Sequence, residues 1–143
     1  MANSWYPSGR DRFATGDIDW TDAATAIRVV GVKVTGSDTY TFASSHTTIN
    51  DVDVTARMGL ASCSGRATDG EGELDASDTR IVSCSASTTT SGTVEALIVY
   101  EVGGASTSSY LLFYIDDFTA TTCTGRDINI TWAAPGSNAV AKL

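Results

Sequence analysis

The groups able to do chemistry are mostly carboxylates, since the chain carries 17 Asp and Glu against 9 Lys and Arg, with one histidine. Asp17, Asp19 and Asp22 lie close together, and a calcium loop would draw its oxygen ligands from such a cluster at fixed spacing, with a glycine for the turn. Asp17-x-Asp19 offers a pair, then Trp20 intervenes and the EF-hand pattern fails. Asp116 and Asp117 could form an acid/base pair, but strand neighbours point to opposite faces. Glycoside hydrolysis needs carboxyls converging at about 5–9 Å. The chain has no GxSxG, no phosphate loop and no HExxH. These residues therefore predict no enzyme, no metal and no cofactor.

Cys63, Cys84 and Cys123 are odd in number and contain no CxxC, so the paired ligands of a structural zinc site are missing. The opening Met-Ala-Asn-Ser-Trp-Tyr-Pro reads as no signal peptide. A reducing compartment of synthesis keeps thiols free. All three are expected to be free, dispensable packing residues. A cysteine nucleophile needs a base, and His46 sits in the polar tract Ser-Ser-His-Thr-Thr, where a surface position is expected.

The elements that must carry these residues follow from composition and periodicity. The chain is 143 residues, 42% hydrophobic and 18% charged, with net charge −8. One domain of this length buries a real core. The acidic balance argues against nucleic acid and against anionic membrane as partners. Ser and Thr form roughly a quarter of the residues and Lys occurs only at Lys33 and Lys142, a strand-and-turn composition.

Pro7 at a helix start and Gly16 as a left-handed stop predict a short helix over 6–15, with Trp5 and Phe13 on one face and Arg10, Asp11 and Arg12 outward. Ile18 and Trp20 share one side of the extended segment that follows. Ile27–Val34 reads as an interior strand, Gly36–Asp38 as a turn, and 43–56 as a loop with a short helical turn. Met58–Ser62 is a short strand, 65–73 a flexible acidic loop, and Arg80–Ser85 a further strand. In 94–102, Val94, Ala96, Ile98 and Tyr100 face one way and Glu95, Leu97, Val99 and Glu101 the other. Across the turn beginning Gly103-Gly104, residues 110–116 are apolar throughout, which predicts a central antiparallel hairpin. Ile128, Ile130 and Trp132 mark a half-buried strand, and 135–143 a tail. Six to eight strands are expected in an antiparallel β-sandwich or jelly-roll-like barrel with a short N-terminal helix: an arm over 1–20 and one β-domain over 21–143.

Tyr6-Pro-Ser-Gly-Arg-Asp-Arg-Phe-Ala-Thr-Gly-Asp-Ile-Asp-Trp20 with Ile27-Arg-Val-Val-Gly-Val resembles the start of a family of small tailed-bacteriophage virion proteins. The likeness continues through Val94-Glu-Ala-Leu-Ile-Val-Tyr-Glu, the Gly-Gly-Ala-Ser-Thr-Ser turn, Leu111-Leu-Phe-Tyr-Ile-Asp116, Gly125-Arg-Asp-Ile-Asn-Ile-Thr-Trp132 and the closing Ala-Lys-Leu. Residues 43–92 diverge. The resemblance implies a non-enzymatic virion component made in the bacterial cytoplasm. Capsid decoration (cement) is the expected role, with the major capsid protein and other virion subunits as partners and a homo-oligomer, a trimer by analogy. A neck or tail component is the alternative within virions, and a carbohydrate- or receptor-binding β-module the alternative outside them. Aromatic residues and Arg dominate interface energetics, so the expected docking residues are Trp5, Tyr6, Arg10, Arg12 and Phe13, with the hairpin ends. The competing expectation is that Trp5 and Phe13 pack on the domain's own sheet.

Overall fold

In a computed structural model, residues 3–68, 72–84, 92–132 and 141–142 are described. The chain order is β1 (Ser4–Trp5), α1 (Pro7–Thr15), β2 (Ile27–Val32), β3 (Arg57–Ser62), β4 (Ala67–Thr68), β5 (Glu73–Asp75), β6 (Thr79–Ile81), β7 (Gly92–Val94), β8 (Ala96–Glu101), β9 (Leu111–Ile115), β10 (Thr121–Cys123), β11 (Ile128–Ile130) and β12 (Ala141–Lys142). Short 3-10 turns lie at Ile49–Asp51, Val54–Ala56 and Ser106–Ser108. Among the described residues the fold is all-β with one short N-terminal helix, as expected, and its antiparallel sheets stay open; none closes into a barrel. Of the predicted flexible loop, 69–71 lie outside the described residues, as do Ser85 and 135–140 and 143 of the tail.

A five-stranded antiparallel sheet, in the order β1-β9-β8-β2-β3, is the centre of the molecule. β8 and β9 form the predicted hairpin and β2 is interior, because their side chains are apolar on both faces and must be covered on both. On one face Ile27, Val29, Leu97, Val99 and Phe113 pack under the two-stranded ribbons β6–β11 and β7–β10. On the other, Val30, Val32, Ile98, Tyr100 and Tyr114 meet Tyr6, Tyr40, Ile49, Val52 and Ala56 from β1's end and the 33–56 segment. The ribbon layer can approach because Gly31 and Gly59 are paired across β2 and β3. A Cβ on Gly31 would stand 2.9 Å from Val94 Cγ2, and one on Gly59, where φ is +134°, 2.6 Å from Ile81 Cγ2. Bare backbone is what lets the second layer seat its branched side chains at that point.

The predicted strand 94–102 is two strands in two sheets. β7 pairs with β10, and β8 with β2 and β9. The break is Glu95, whose carboxylate accepts the Val34 N–H at 2.7 Å and the Thr35 N–H at 2.8 Å, while its own N–H donates to Val32 O. Alternation holds from Ala96 onward, but Val94 falls on the Leu97 and Val99 side, contrary to expectation, because the chain changes sheet there. β6 is also shorter than predicted. The chain turns at Ser83, with φ +50°, and the Ser83 N–H donates to Asp127 Oδ1 at 2.9 Å.

Candidate functional site

The predicted helix forms, with Pro7 in its first turn and Gly16 closing it at φ +77°. Its neighbours on the sheet are set by a bulge. Val99 pairs with Phe113 and Tyr100 with Leu111, so Leu112 is the extra residue of β9. The Leu112 carbonyl accepts the Tyr6 N–H at 3.0 Å, and the Ser8 hydroxyl donates to Leu111 O at 3.0 Å.

This joint decides where the predicted docking residues go. Tyr6 is 0% exposed, and its hydroxyl shares a 2.8 Å hydrogen bond with Tyr40 OH, so it has no surface to offer a partner. Burial, then the bond to Tyr40, pushes the Tyr6 phenol far above its ordinary range. Tyr40 is pushed up to about 12 by burial. His46, expected on the surface, is half-buried and bonded through Nδ1 to Tyr40 OH at 2.9 Å. Trp5 lies on β1 rather than on the helix, edge-on to Phe13 at 5.6 Å and to Phe113 at 4.3 Å. Trp5 and Phe13 thus share a face, as expected, and that face is turned to the molecule's own sheet. Arg12, expected outward, pairs with Glu101 at 2.6 Å and lies 4.4 Å above the Tyr110 ring. Arg10 and Asp11 are exposed.

The acidic clusters are also bound into local structure. Asp19 accepts the N–H and hydroxyl of Thr21 at 2.9 and 2.8 Å, and those bonds hold its carboxyl below the usual range. The 17–22 segment is fixed from outside by Arg66, which donates to the carbonyls of Trp20, Cys63, Asp22 and Thr25. Among the described residues no group of three or more His, Cys, Asp or Glu is placed to hold a metal ion.

Two of the three expected free thiols are in fact bonded to each other. Cys84 and Cys123, with Cα atoms 5.2 Å apart, form a disulfide that ties the turn after β6 to β10. Cys63 alone is free, and burial pushes its thiol up to about 11, which makes it unreactive.

What sequence reasoning missed is a cleft of 490 Å³. Its floor is Val94, Leu97 and Ile115, and its walls come from Asp117–Thr119, β10, β11 and Trp132. Phe118, also in the lining, is 37% exposed. Asp117, the outer member of the pair considered as an acid/base couple, is exposed there with Asn129 and Thr131. The Trp132 indole is fixed by donating Nε1–H to Thr79 Oγ1 at 3.1 Å, and its backbone N–H by Asp78 Oδ1 at 3.2 Å. Among the described residues the lining combines a ring surface, one carboxylate and neutral amide and hydroxyl groups, an arrangement suited to holding a polar molecule. The sequence signal was present only in part, in the Asp117-Phe118 step and in Trp132 at a strand end.

No protein-family model matches the chain, and no curated protein matches it.

Proposed function

We propose that this chain is a non-enzymatic structural subunit of a tailed-phage virion that binds the major capsid protein on the outer surface of the head and stabilises it, as a homo-oligomer. One observation carries the reading. The stretches resembling that virion family are the ones that build the framework: Tyr6–Trp20 forms the helix seated on the β9 bulge, 94–101 and 111–116 run through the central hairpin, and 125–132 contains β11. The likeness thus falls on the helix, β2, the central hairpin and β11, while the divergent 43–92 supplies the edge strand β3, the cover of one sheet face and much of the ribbon layer.

The docking surface is then the outer face of α1 with the hairpin end. Arg12 reaches both Glu101 and Tyr110, the residues on either side of the 102–109 connection, so helix and hairpin tip share one end of the sheet. Arg10 on the helix and Ser106 and Thr107 at the tip are exposed there. Co-sedimentation with undecorated capsids tests the reading. Saturable binding by the native protein, lost in an Arg10→Glu/Thr107→Arg variant of unchanged melting temperature, is expected. Absence of binding by the native protein contradicts capsid decoration.

A further inference from the structure

The capsid reading leaves the 490 Å³ cleft unused, and we propose that it is a binding site for a neutral oligosaccharide. Its volume lies within the range of about 300–1,000 Å³ that holds ligands of drug size. The chemistry of the walls selects among such ligands. Asp117, Asn129 and Thr131 present side-chain donors and acceptors that no hydrogen bond among the described residues engages. A carboxylate accepts, an amide both accepts and donates, and a hydroxyl does either, which is the complement a row of sugar hydroxyls needs.

Phe118 and Trp132 provide the second half of the recognition. A pyranose ring carries C–H groups on its faces and hydroxyls around its edge, so it can lie on an aromatic surface while its edge hydrogen-bonds to the flanks. Trp132 is already held by Thr79 and Asp78, so little freedom is lost on binding.

Charge separates a neutral glycan from an acidic one. Among the described residues, no Lys, Arg or His lines the cleft. A uronic acid, sialic acid or phosphorylated sugar would therefore bring its anion beside Asp117 without a counter-charge, on a chain of net charge −8. A cationic peptide would find a single carboxylate, Asp117, among the described lining residues, the others being neutral.

The experiment is a glycan array carrying neutral, sialylated and uronic-acid oligosaccharides, followed by calorimetry with the neutral glycan retained. Asp117→Ala, Asn129→Ala and Phe118→Ala alter side chains outside the buried core and should keep the native melting temperature. Each is expected to weaken binding about tenfold or more, the effect of losing one hydrogen-bonding group or ring face. The Arg10→Glu/Thr107→Arg variant should bind the glycan as the native protein does, so loss of the capsid contact and loss of the glycan site are read separately. Retention of no neutral glycan, retention of acidic glycans alone, or unchanged affinity in the three cleft variants would overturn the assignment.

Discussion

Gly9 of the helix rests directly on the backbone of Leu112: a Cβ at position 9 would stand 2.7 Å from Leu112 Cα and 2.8 Å from its carbonyl oxygen. The closeness exists because Leu112 is the bulged residue of β9 and presents bare main chain to the helix. In an isolated helix Gly→Ala is favourable by about 1 kcal/mol. Here the sign reverses, since neither backbone can withdraw. Gly9→Ala is expected to destabilise the domain by roughly 1–3 kcal/mol, lowering its melting temperature by about 3–10 °C. Gly104→Ala, where nothing lies within 4 Å, serves as the control and should melt like the native protein. Deleting residues 1–16, which removes Tyr6, Phe13 and this joint, should lower melting further. A truncated protein of native stability would show that the segment is not part of the core.

The Cys84–Cys123 bridge closes a loop with a sequence separation of 39. Loop-closure entropy for that length corresponds to about 4 kcal/mol. Alkylation of the unfolded chain without reductant is expected to modify Cys63 alone, and reductant should expose the other two thiols and lower the melting temperature. Modification of all three without reductant would contradict the bridge.

Stability should fall in acid. Glu95 is pushed up by burial, but bonds from the Thr35 hydroxyl and the Val34 and Thr35 amides outweigh it and hold the carboxyl below its ordinary 4.5. Asp51 is held below its ordinary 3.8 by the Thr48 and Thr47 amides, and Asp53 by Thr55. A folded-state pKa below the unfolded value contributes stability that is complete above the unfolded value and is lost as pH falls through the folded one. Urea unfolding is therefore expected to be unchanged from neutral pH down to about 5 and to weaken progressively below about 4.5. Glu95→Gln should be less stable at neutral pH and lose less on acidification than the native chain. An equal acid loss in both would remove Glu95 from the effect.

Ile98 is 0% exposed on β8, with strands paired on both sides. Ile98→Asp leaves a carboxylate without a partner in the core, which costs several kcal/mol. The variant is expected to be unfolded or insoluble. A soluble variant with cooperative, native-like melting would contradict the central position of β8.

The hairpin and the interior position of β2 could be read from the sequence because an apolar run on both faces has only one stable location. The helix was equally plain from Pro7 and Gly16. Other features depended on partners far along the chain. The sheet change at Glu95 has no glycine or proline to mark it; it arises from amides at Val34 and Thr35 that the fold brings alongside. Tyr6 reads as a terminal aromatic free to dock until Tyr40 supplies a partner for its hydroxyl. The Cys84–Cys123 pair was hidden because an odd cysteine count and an inferred reducing compartment both point to free thiols. The cleft draws on β7 through β11, so no local motif contains it.

Copy number per particle is the most direct measurement of the central proposal. Quantitative mass spectrometry of purified virions, normalised to the major capsid protein, is expected to give on the order of hundreds of copies, as attachment across a symmetric shell requires. About a dozen copies or fewer would match a ring at one vertex or in the tail and would contradict capsid decoration.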